Sequence, residues 1–233
     1  MKTIMLKLAG PMQSWGTSSR FENRYTDRYP SKSAVVGILA ACFGYSRDDS
    51  RIERLNDLDF AIRIDQPGEL LHDYHIARRF KSNGEIAQTY VTNRYYLQDA
   101  IFVVALGSND VNWITEIEYA LKYPYFQPYL GRRSNPVNAD FFLGTSDTDV
   151  ISSLEELPWQ ASDWYKRKKN GKVKLSIYAD AHLLPNSPRL MARDRVITFS
   201  QRERMHGYRA VGRKDIELMP HTDSSGHDVF SAF

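Results

Sequence analysis

The order of strand-like and helix-like patterns in the first 125 residues constrains this fold more than any other feature of the sequence. Residues 3–8 alternate apolar side chains with Met5 and Lys7, which is the period of a strand with one face on a core. Residues 31–44 instead carry apolar side chains at helical spacing, at Val35, Ile38, Leu39 and Cys42. Ser31 or Ser33 is suited to cap this helix at its start, and Gly44 to end it.

The pattern continues with two strands and a second helix. Residues 58–65 alternate and predict a half-exposed strand, whereas residues 100–106 are apolar throughout and predict a central strand. An amphipathic pattern over residues 113–121 predicts a helix that ends before Pro124. With one more strand, and without the long insertion between residues 65 and 100, the order is βαββαβ. We therefore expect an α+β, ferredoxin-like domain of the RRM-like, RAMP-type class.

The remaining sequence predicts further strands. Residues 173–179 alternate clearly, and residues 196–199 and 216–219 have β-like composition. We expect a ferredoxin-like domain over residues 1–145 and a smaller β-rich part over residues 146–233, which ends in a polar tail. The insertion of more than 30 residues is longer than a simple hairpin connection, and its segment 78–94 is expected to project as a thumb.

Composition supports a folded protein but does not decide what the chain binds. Of 233 residues, 42% are hydrophobic and 25% are charged, which is ordinary for a folded domain. A formal charge of +3 is too small to establish nucleic-acid binding by itself. The single cysteine, Cys42, excludes an internal disulfide and fits a reducing compartment. No apolar run approaches the roughly 20 residues of a membrane span, and Lys7 interrupts the start too early for a signal peptide. We expect a soluble, cytoplasmic protein with no membrane association.

The placement of the cations points towards RNA. They form clusters at residues 20–32, 78–81, 132–133, 166–169 and 189–214, with aromatic residues among them. Single-stranded RNA requires this combination, because phosphates bind Lys or Arg and splayed bases stack on rings. The alternative interpretation is that the charges form solvated faces while the rings lie in the core.

Two loops could approach a ligand closely. GPMQSWG, residues 10–16, follows the first strand and matches neither a Walker A loop nor a GxGxxG motif, so an ordinary strand-ending turn remains an alternative. PYLGRRSNPV, residues 128–137, places Arg132 and Arg133 between Gly131 and Ser134, a combination suited to binding phosphate. One arginine in a structural ion pair and the other in water is the competing interpretation.

The sequence shows no pattern typical of a metal centre or of a nucleophilic enzyme. His72, Asp73 and His75 are close in sequence, but on a strand His72 and Asp73 would point to opposite faces. His75, with Tyr74 or Lys81 nearby, could act as general base in a metal-free RNA cleavage, although a structural histidine is the simpler interpretation. We therefore predict no catalytic residue, no metal and no cofactor.

Seven segments, in order along the first 145 residues, together resemble the CasD family, the subtype I-E branch of the fifth CRISPR-associated family. The matching segments are LAGPMQSWG (8–16), RYPSKSAVVGILAACFG (28–44), RDD (47–49), DYH (73–75), YLQDAIFVVAL (96–106), PYLGRRSNPV (128–137) and FLGT (142–145). Beyond residue 145 the resemblance is thin.

The resemblance implies a non-catalytic subunit of the type I-E Cascade complex in antiviral defence. Such a subunit caps the 5′ handle of the crRNA at one end of a filament of CasC subunits and helps to seat the large CasA subunit. Its thumb would reach over the RNA and the neighbouring CasC subunit, and target DNA would be met only through the assembled complex. Carried over by motif position and chemistry, the RNA-binding residues are Gln13, Trp15, Arg28, Lys32, Ser33, Arg78, Arg132, Arg133 and Ser134.

Two other functions remain open from the sequence. A metal-independent endoribonuclease that processes the crRNA precursor would use His75 and Lys81; the related subunit of subtype I-C does this work, whereas in subtype I-E a separate subunit, CasE, cuts the RNA. A stand-alone RNA-binding protein is a third interpretation.

Overall fold

The computed structural model describes residues 1–17, 22–169 and 171–218. The predicted polar tail therefore lies outside the described residues. The strands and α-helices of the described residues are β1 Lys2–Ala9, β2 Met12–Gln13, β3 Asn23–Arg24, α1 Lys32–Phe43, α2 Arg51–Arg54, β4 Asp59–Gln66, β5 Glu69–Phe80, β6 Ile86–Gln98, β7 Ile101–Ser108, α3 Val111–Lys122, β8 Phe142–Ser146, α4 Val150–Glu156, α5 Asp163–Arg167, β9 Val173–Asp180, β10 Leu190–Thr198 and β11 Met205–Leu218.

A mixed α+β architecture is built on one seven-stranded antiparallel sheet, in the order β10-β11-β9-β4-β7-β1-β8. Helix α1 lies in the connection from β1 to β4, and α3 in the connection from β7 to β8. The three C-terminal strands extend this sheet edge to edge, because β9 pairs with β4. The predicted boundary at residue 145 therefore falls within a continuous sheet, and the division into two parts stays a prediction.

Both predicted helices form, with the predicted ends. The Ser31 hydroxyl accepts a hydrogen bond from the N–H of Ala34 and caps α1, while Gly44 ends it with a φ of 75°. Helix α3 is capped by Asp110 and ends before Pro124. The predicted strands likewise appear as β1, β4, β7 and β9, and the further strand expected after the second helix is β8. The runs over residues 196–199 and 216–219 coincide only with the last residues of β10 and β11, and residue 219 lies outside the described residues.

The two faces of the sheet are covered by different helices. Side chains of one parity on β1, β4 and β7, such as Leu6, Ile62 and Val104, pack with α1 and α3 in the larger core. Those of the other parity, such as Ala61 and Val103, pack with α4 in a second core. Strict alternation along each strand thus separates two apolar layers.

The prediction that β4 is half exposed was wrong. Arg63 and Asp65, which the alternation assigned to solvent, are 0% and 1% exposed. The Arg63 guanidinium pairs with Asp65 at 2.7 Å and also donates to the carbonyl oxygens of Leu157 and Pro158. The segment after α4 therefore covers the polar face of the strand. The charges of Arg63 and Asp65 are compensated by their ion pair and by hydrogen bonds instead of by water.

The long insertion is itself a hairpin. Strands β5 and β6 pair from Glu69 opposite Gln98 to Phe80 opposite Ile86. The short strands β2 and β3 pair with the inner part of β6 and form a second, small sheet at its base. The predicted thumb, residues 78–94, corresponds to the outer part of this hairpin, where most side chains are exposed on both faces.

Candidate nucleic-acid interface

A cleft with a volume of about 540 Å³ lies beside α1. Its walls come from three segments that the sequence marked out: the turn after β1, the start of α1 and the loop over residues 128–137. The loop between β10 and β11 supplies a further wall through Phe199 and Arg204. The floor consists of small helical residues, including Ala34, Gly37 and Ala41, so the cleft can extend along the helix.

The loop over residues 128–137 is fixed against the turn after β1. The N–H of Ser14 donates to the carbonyl oxygen of Leu130 at 3.2 Å. Within the loop, the N–H of Leu130 donates to the carbonyl oxygen of Asn135 at 2.7 Å. Gly131 has a φ of 79°, and a Cβ there would collide with the carbonyl group of Ser14. Glycine is therefore required twice at this position, by backbone conformation and by close approach.

Aromatic rings and two exposed cations line the cleft. The rings are those of Trp15, Tyr45, Phe126, Tyr129 and Phe199. Arg47 and Arg204 are exposed at the cleft and make no ion pair within the described residues. Cations near partly exposed rings suit a short stretch of single-stranded nucleic acid, whose phosphates and bases need these two kinds of partner.

The two arginines of the loop differ in role. Arg132 donates through Nη2 to the carbonyl oxygens of Arg24 at 3.1 Å and Tyr95 at 3.2 Å, and its guanidinium lies 4.1 Å from the centre of the Tyr96 ring. It therefore ties the loop to the base of the hairpin, while its Nη1 is buried and has no hydrogen-bond partner among the residues that the structure describes. Arg133 is exposed and makes no ion pair within the described residues. Of the pair, Arg133 is the one free to meet a phosphate.

Gln13 and Trp15 belong to the interior. Gln13 is 0% exposed and donates to the carbonyl oxygens of Leu8 at 3.1 Å and Ala100 at 2.7 Å. Its Oε1 accepts a hydrogen bond from the Trp15 indole at 3.0 Å. The prediction that the Gln13 amide contacts RNA directly is therefore corrected, because the polar atoms of this amide already have protein partners. Both residues shape the turn, although Trp15 still contributes to the cleft wall.

Lys32 is also corrected from a ligand contact to a structural residue. Its ammonium group is buried and donates to the carbonyl oxygen of Leu58 at 2.7 Å and to Asp180 at 3.0 Å. Burial lowers the pKa of Lys32, and the nearby carboxylate of Asp180 opposes that shift. Arg209 pairs with both Asp180 and Asp194 at 2.8 Å. Because Asp194 also accepts from the backbone N–H of Lys32, this network joins the start of α1 to β9, β10 and β11.

The other predicted contacts are dispersed. Ser33 lines the cleft, although its hydroxyl already shares a hydrogen bond of 3.0 Å with Ser31. Ser134 is exposed beside Arg133, and its hydroxyl donates to the side chain of Asn135 at 3.1 Å. Arg28, before α1, and Arg78, far out on β5, are exposed but do not line the cleft. The RNA-binding role of all these residues stays a prediction.

Two of the residues considered for catalysis and metal binding, Lys81 and His72, have ordinary partners within the hairpin. Lys81 pairs with Glu85 across the tip of the hairpin at 3.0 Å. His72 shares a hydrogen bond of 2.9 Å with Asn93 and stacks on Tyr95. The structure instead brings Asp59, Asp180 and His182 together. That group is poorly suited to a metal ion, because Asp180 is occupied by Lys32 and Arg209 and Asp59 by His182.

Sequence reasoning missed Phe199 as a cleft residue and did not single out Arg47 or Arg204. Arg47 belongs to the RDD segment, and Arg204 to the basic cluster over residues 189–214. No local pattern separates Arg204 from its neighbours, because it reaches the cleft only through the pairing of β10 with β11. The matched RDD segment and the basic cluster thus predicted regions that contribute to the cleft, but not which arginine in each region lines it.

The chain belongs to the Cas5 family of CRISPR-associated proteins, whose family model matches residues 3–212. It is similar to the CRISPR system Cascade subunit CasD of Escherichia coli (strain K12), with 40% identity over 157 residues that cover 61% of this chain and 70% of that protein. This finding confirms the resemblance seen in the sequence.

Two solved structures share the fold over nearly the whole length. A chain of a CRISPR RNA-guided surveillance complex has a TM-score of 0.77 and 30% identity, with 95% of each chain covered. A Cas protein crystal structure has a TM-score of 0.63 and 29% identity, with 93% of this chain and 95% of that chain covered. Separately, none of the helices within the described ranges combines the length and apolar content needed to cross a membrane.

Proposed function

We propose that this chain is the non-catalytic subunit that binds and caps the 5′ handle of the crRNA in a type I-E Cascade complex. The observation that carries the proposal is the cleft beside α1, where three family-matched segments meet aromatic rings and exposed arginines. Its volume of about 540 Å³ lies within the usual range for sites that enclose a small organic group. It therefore suits a few splayed nucleotides rather than a duplex.

The fold supports the same role. The strand order β4-β7-β1-β8, with α1 and α3 as connections, is the order expected for the ferredoxin-like βαββαβ fold. The hairpin of β5 and β6 exposes side chains on both faces of its outer part. A two-stranded ribbon of this kind is only marginally stable alone in water. A neighbouring CasC subunit and the RNA between them are suitable partners for it.

Other parts of the proposal follow from membership of the complex. The CasA subunit would dock beside the capped handle, and target DNA would be met through the assembled complex. The protein would act in the cytoplasm, where guide RNA is made. The endoribonuclease alternative has less support, because Lys81 is paired with Glu85 on the exposed hairpin.

The test compares end-labelled guide RNA with and without its 5′ handle, in EDTA, on native and denaturing gels. The variant Arg47→Gln/Arg204→Gln removes two cleft cations. We expect intact RNA, a shift that depends on the handle, and a salt slope lower by about 1.4 in the variant, at about 0.7 per single-strand phosphate contact.

The matched control is Lys122→Gln/Lys214→Gln, which removes the same charge from two lysines that are already ion-paired with Glu118 and Glu155. If the two double variants lowered the salt slope of RNA binding equally, the cleft would contribute only through the overall charge of the protein and not as a specific site. Site-specific cleavage that His75→Ala abolishes would make the protein a processing enzyme instead.

A further inference from the structure

A second basic surface lies at α5 and the turn that follows it. Lys166, Arg167, Lys168 and Lys169 are consecutive, and none makes an ion pair within the described residues. Farther along, Lys172 pairs with Glu217 at 3.3 Å and Lys174 with Asp215 at 3.0 Å. Four adjacent cations thus remain without acidic partners among the residues that the structure describes, although the chain as a whole carries a formal charge of only +3.

The part of this surface that α5 carries is on the other face of the sheet from the cleft, whereas Lys174 has the parity of Tyr178 and projects on the α1 side of β9. Leu175 has the same parity on β9 as Ile177, which packs in the core against α4. Trp159 and Tyr165, from the segment that contains α5, pack against Leu175. The cleft, in contrast, is formed on α1, which covers the opposite face. The two surfaces share no lining residue and cannot be one continuous groove along α1.

The cations are held near aromatic rings rather than near carboxylates. The Lys168 ammonium lies 4.8 Å from the centre of the Trp164 ring, and the Lys169 ammonium lies 5.3 Å from that of Tyr165. Trp164 is 43% exposed. Beside them, Lys169, Lys172 and Lys174 border a depression of about 420 Å³ at the end of β4. Cation–π contacts orient the ammonium groups while leaving their charge uncompensated.

We propose that this surface, formed by residues 164–169, binds the phosphodiester backbone of a second stretch of nucleic acid, separate from the strand in the cleft. Closely spaced lysines attract phosphates without regard to sequence. An exposed indole among them gives a sugar or a base a stacking surface, which an acidic protein partner would not need. The proposal does not require that the cleft bind the 5′ handle.

The test uses the full chain, two probes and two variants. The probes are a labelled 24-base-pair DNA duplex with no CRISPR sequence and a single-stranded RNA without the 5′ handle. Arg167→Gln/Lys168→Gln changes the surface, and Lys122→Gln/Lys214→Gln removes equal charge from ion-paired positions. We expect the first variant to lower the salt slope by about 1.8 for the duplex or about 1.4 for the RNA, and the second to change neither appreciably.

The probe that responds identifies the source of the phosphates, DNA or RNA. Equal slopes for the wild type and Arg167→Gln/Lys168→Gln with both probes would overturn the proposal, as would equal losses in both variants. Circular dichroism checks that the variants are folded. Because Arg47→Gln/Arg204→Gln changes only the cleft, its effect on handle-containing RNA reports separately on the proposed function.

Discussion

Among single residues, Gly131 controls the geometry of the cleft. Its φ of 79° places it in the left-handed region, and a methyl group there would meet the backbone of Ser14. We expect Gly131→Ala to lower the free energy of unfolding by about 3 kcal/mol, as the sum of backbone strain and overpacking. The control is Gly171→Ala, because Gly171 has a φ of 75° but, among the described residues beyond its chain neighbours, no heavy atom lies within 4 Å of the place that a methyl group would take. Urea denaturation should show a cost of about 1 kcal/mol there, and equal costs would contradict the close approach.

The single cysteine reports on the integrity of the core. Burial raises the pKa of the Cys42 thiol to about 12, against about 8.5 for an exposed thiol. We expect Cys42 to resist iodoacetamide at pH 8 in the native protein and to react readily in urea, as mass spectrometry would measure. Between these two pKa values the unfolded chain loses the proton that the folded chain keeps, so this group lowers stability as pH rises. Rapid native alkylation would show that α1 is not packed against the sheet.

At the scale of secondary-structure elements, the buried ionic network joins α1 to the C-terminal strands. Asp180 accepts from Lys32 at 3.0 Å and from Arg209 at 2.8 Å. Asp180→Asn leaves two buried cations with less compensation, so we expect a loss of about 3 to 5 kcal/mol in unfolding free energy. Asp215→Asn is the control on β11, where an exposed carboxylate should contribute less than about 1 kcal/mol. Similar thermal shifts in both variants would argue against the network.

The elements also show where sequence patterns reach their limit. Helix α1 was predictable because spacing, N-cap and terminal glycine all agree over residues 31–44. The exposure of β4 was not predictable, because Arg63 and Asp65 become buried only when the segment after α4 covers them. A period of two identifies a strand but does not say whether its polar face meets water or a buried ion pair.

At the scale of the whole molecule, sequence motifs identified the region of the candidate site better than its contacts. The turn after β1, the start of α1 and the loop over residues 128–137 do meet. Yet Gln13 and Lys32, chosen for their chemistry, are buried with protein partners. The residue type does not reveal whether a side chain is buried. The two carboxylates that accept hydrogen bonds from Lys32, those of Asp180 and Asp194, are more than 100 positions away in the sequence. Phe199 and Arg204 are likewise far in sequence from the other residues of the cleft, so the sequence did not predict that they line it.

The most direct test of the central claim is a photo-crosslink from the cleft to guide RNA. p-Benzoylphenylalanine would replace Tyr129, which lines the cleft, or Tyr119, an exposed ring outside it. After irradiation of the protein with guide RNA and the other Cascade subunits, sequencing of the attached RNA identifies the crosslinked nucleotides. We predict crosslinks within the 5′ handle from position 129 and few from position 119. Crosslinks from position 129 to the spacer, or equal and scattered crosslinks from both positions, would contradict the assignment of the cleft to the handle.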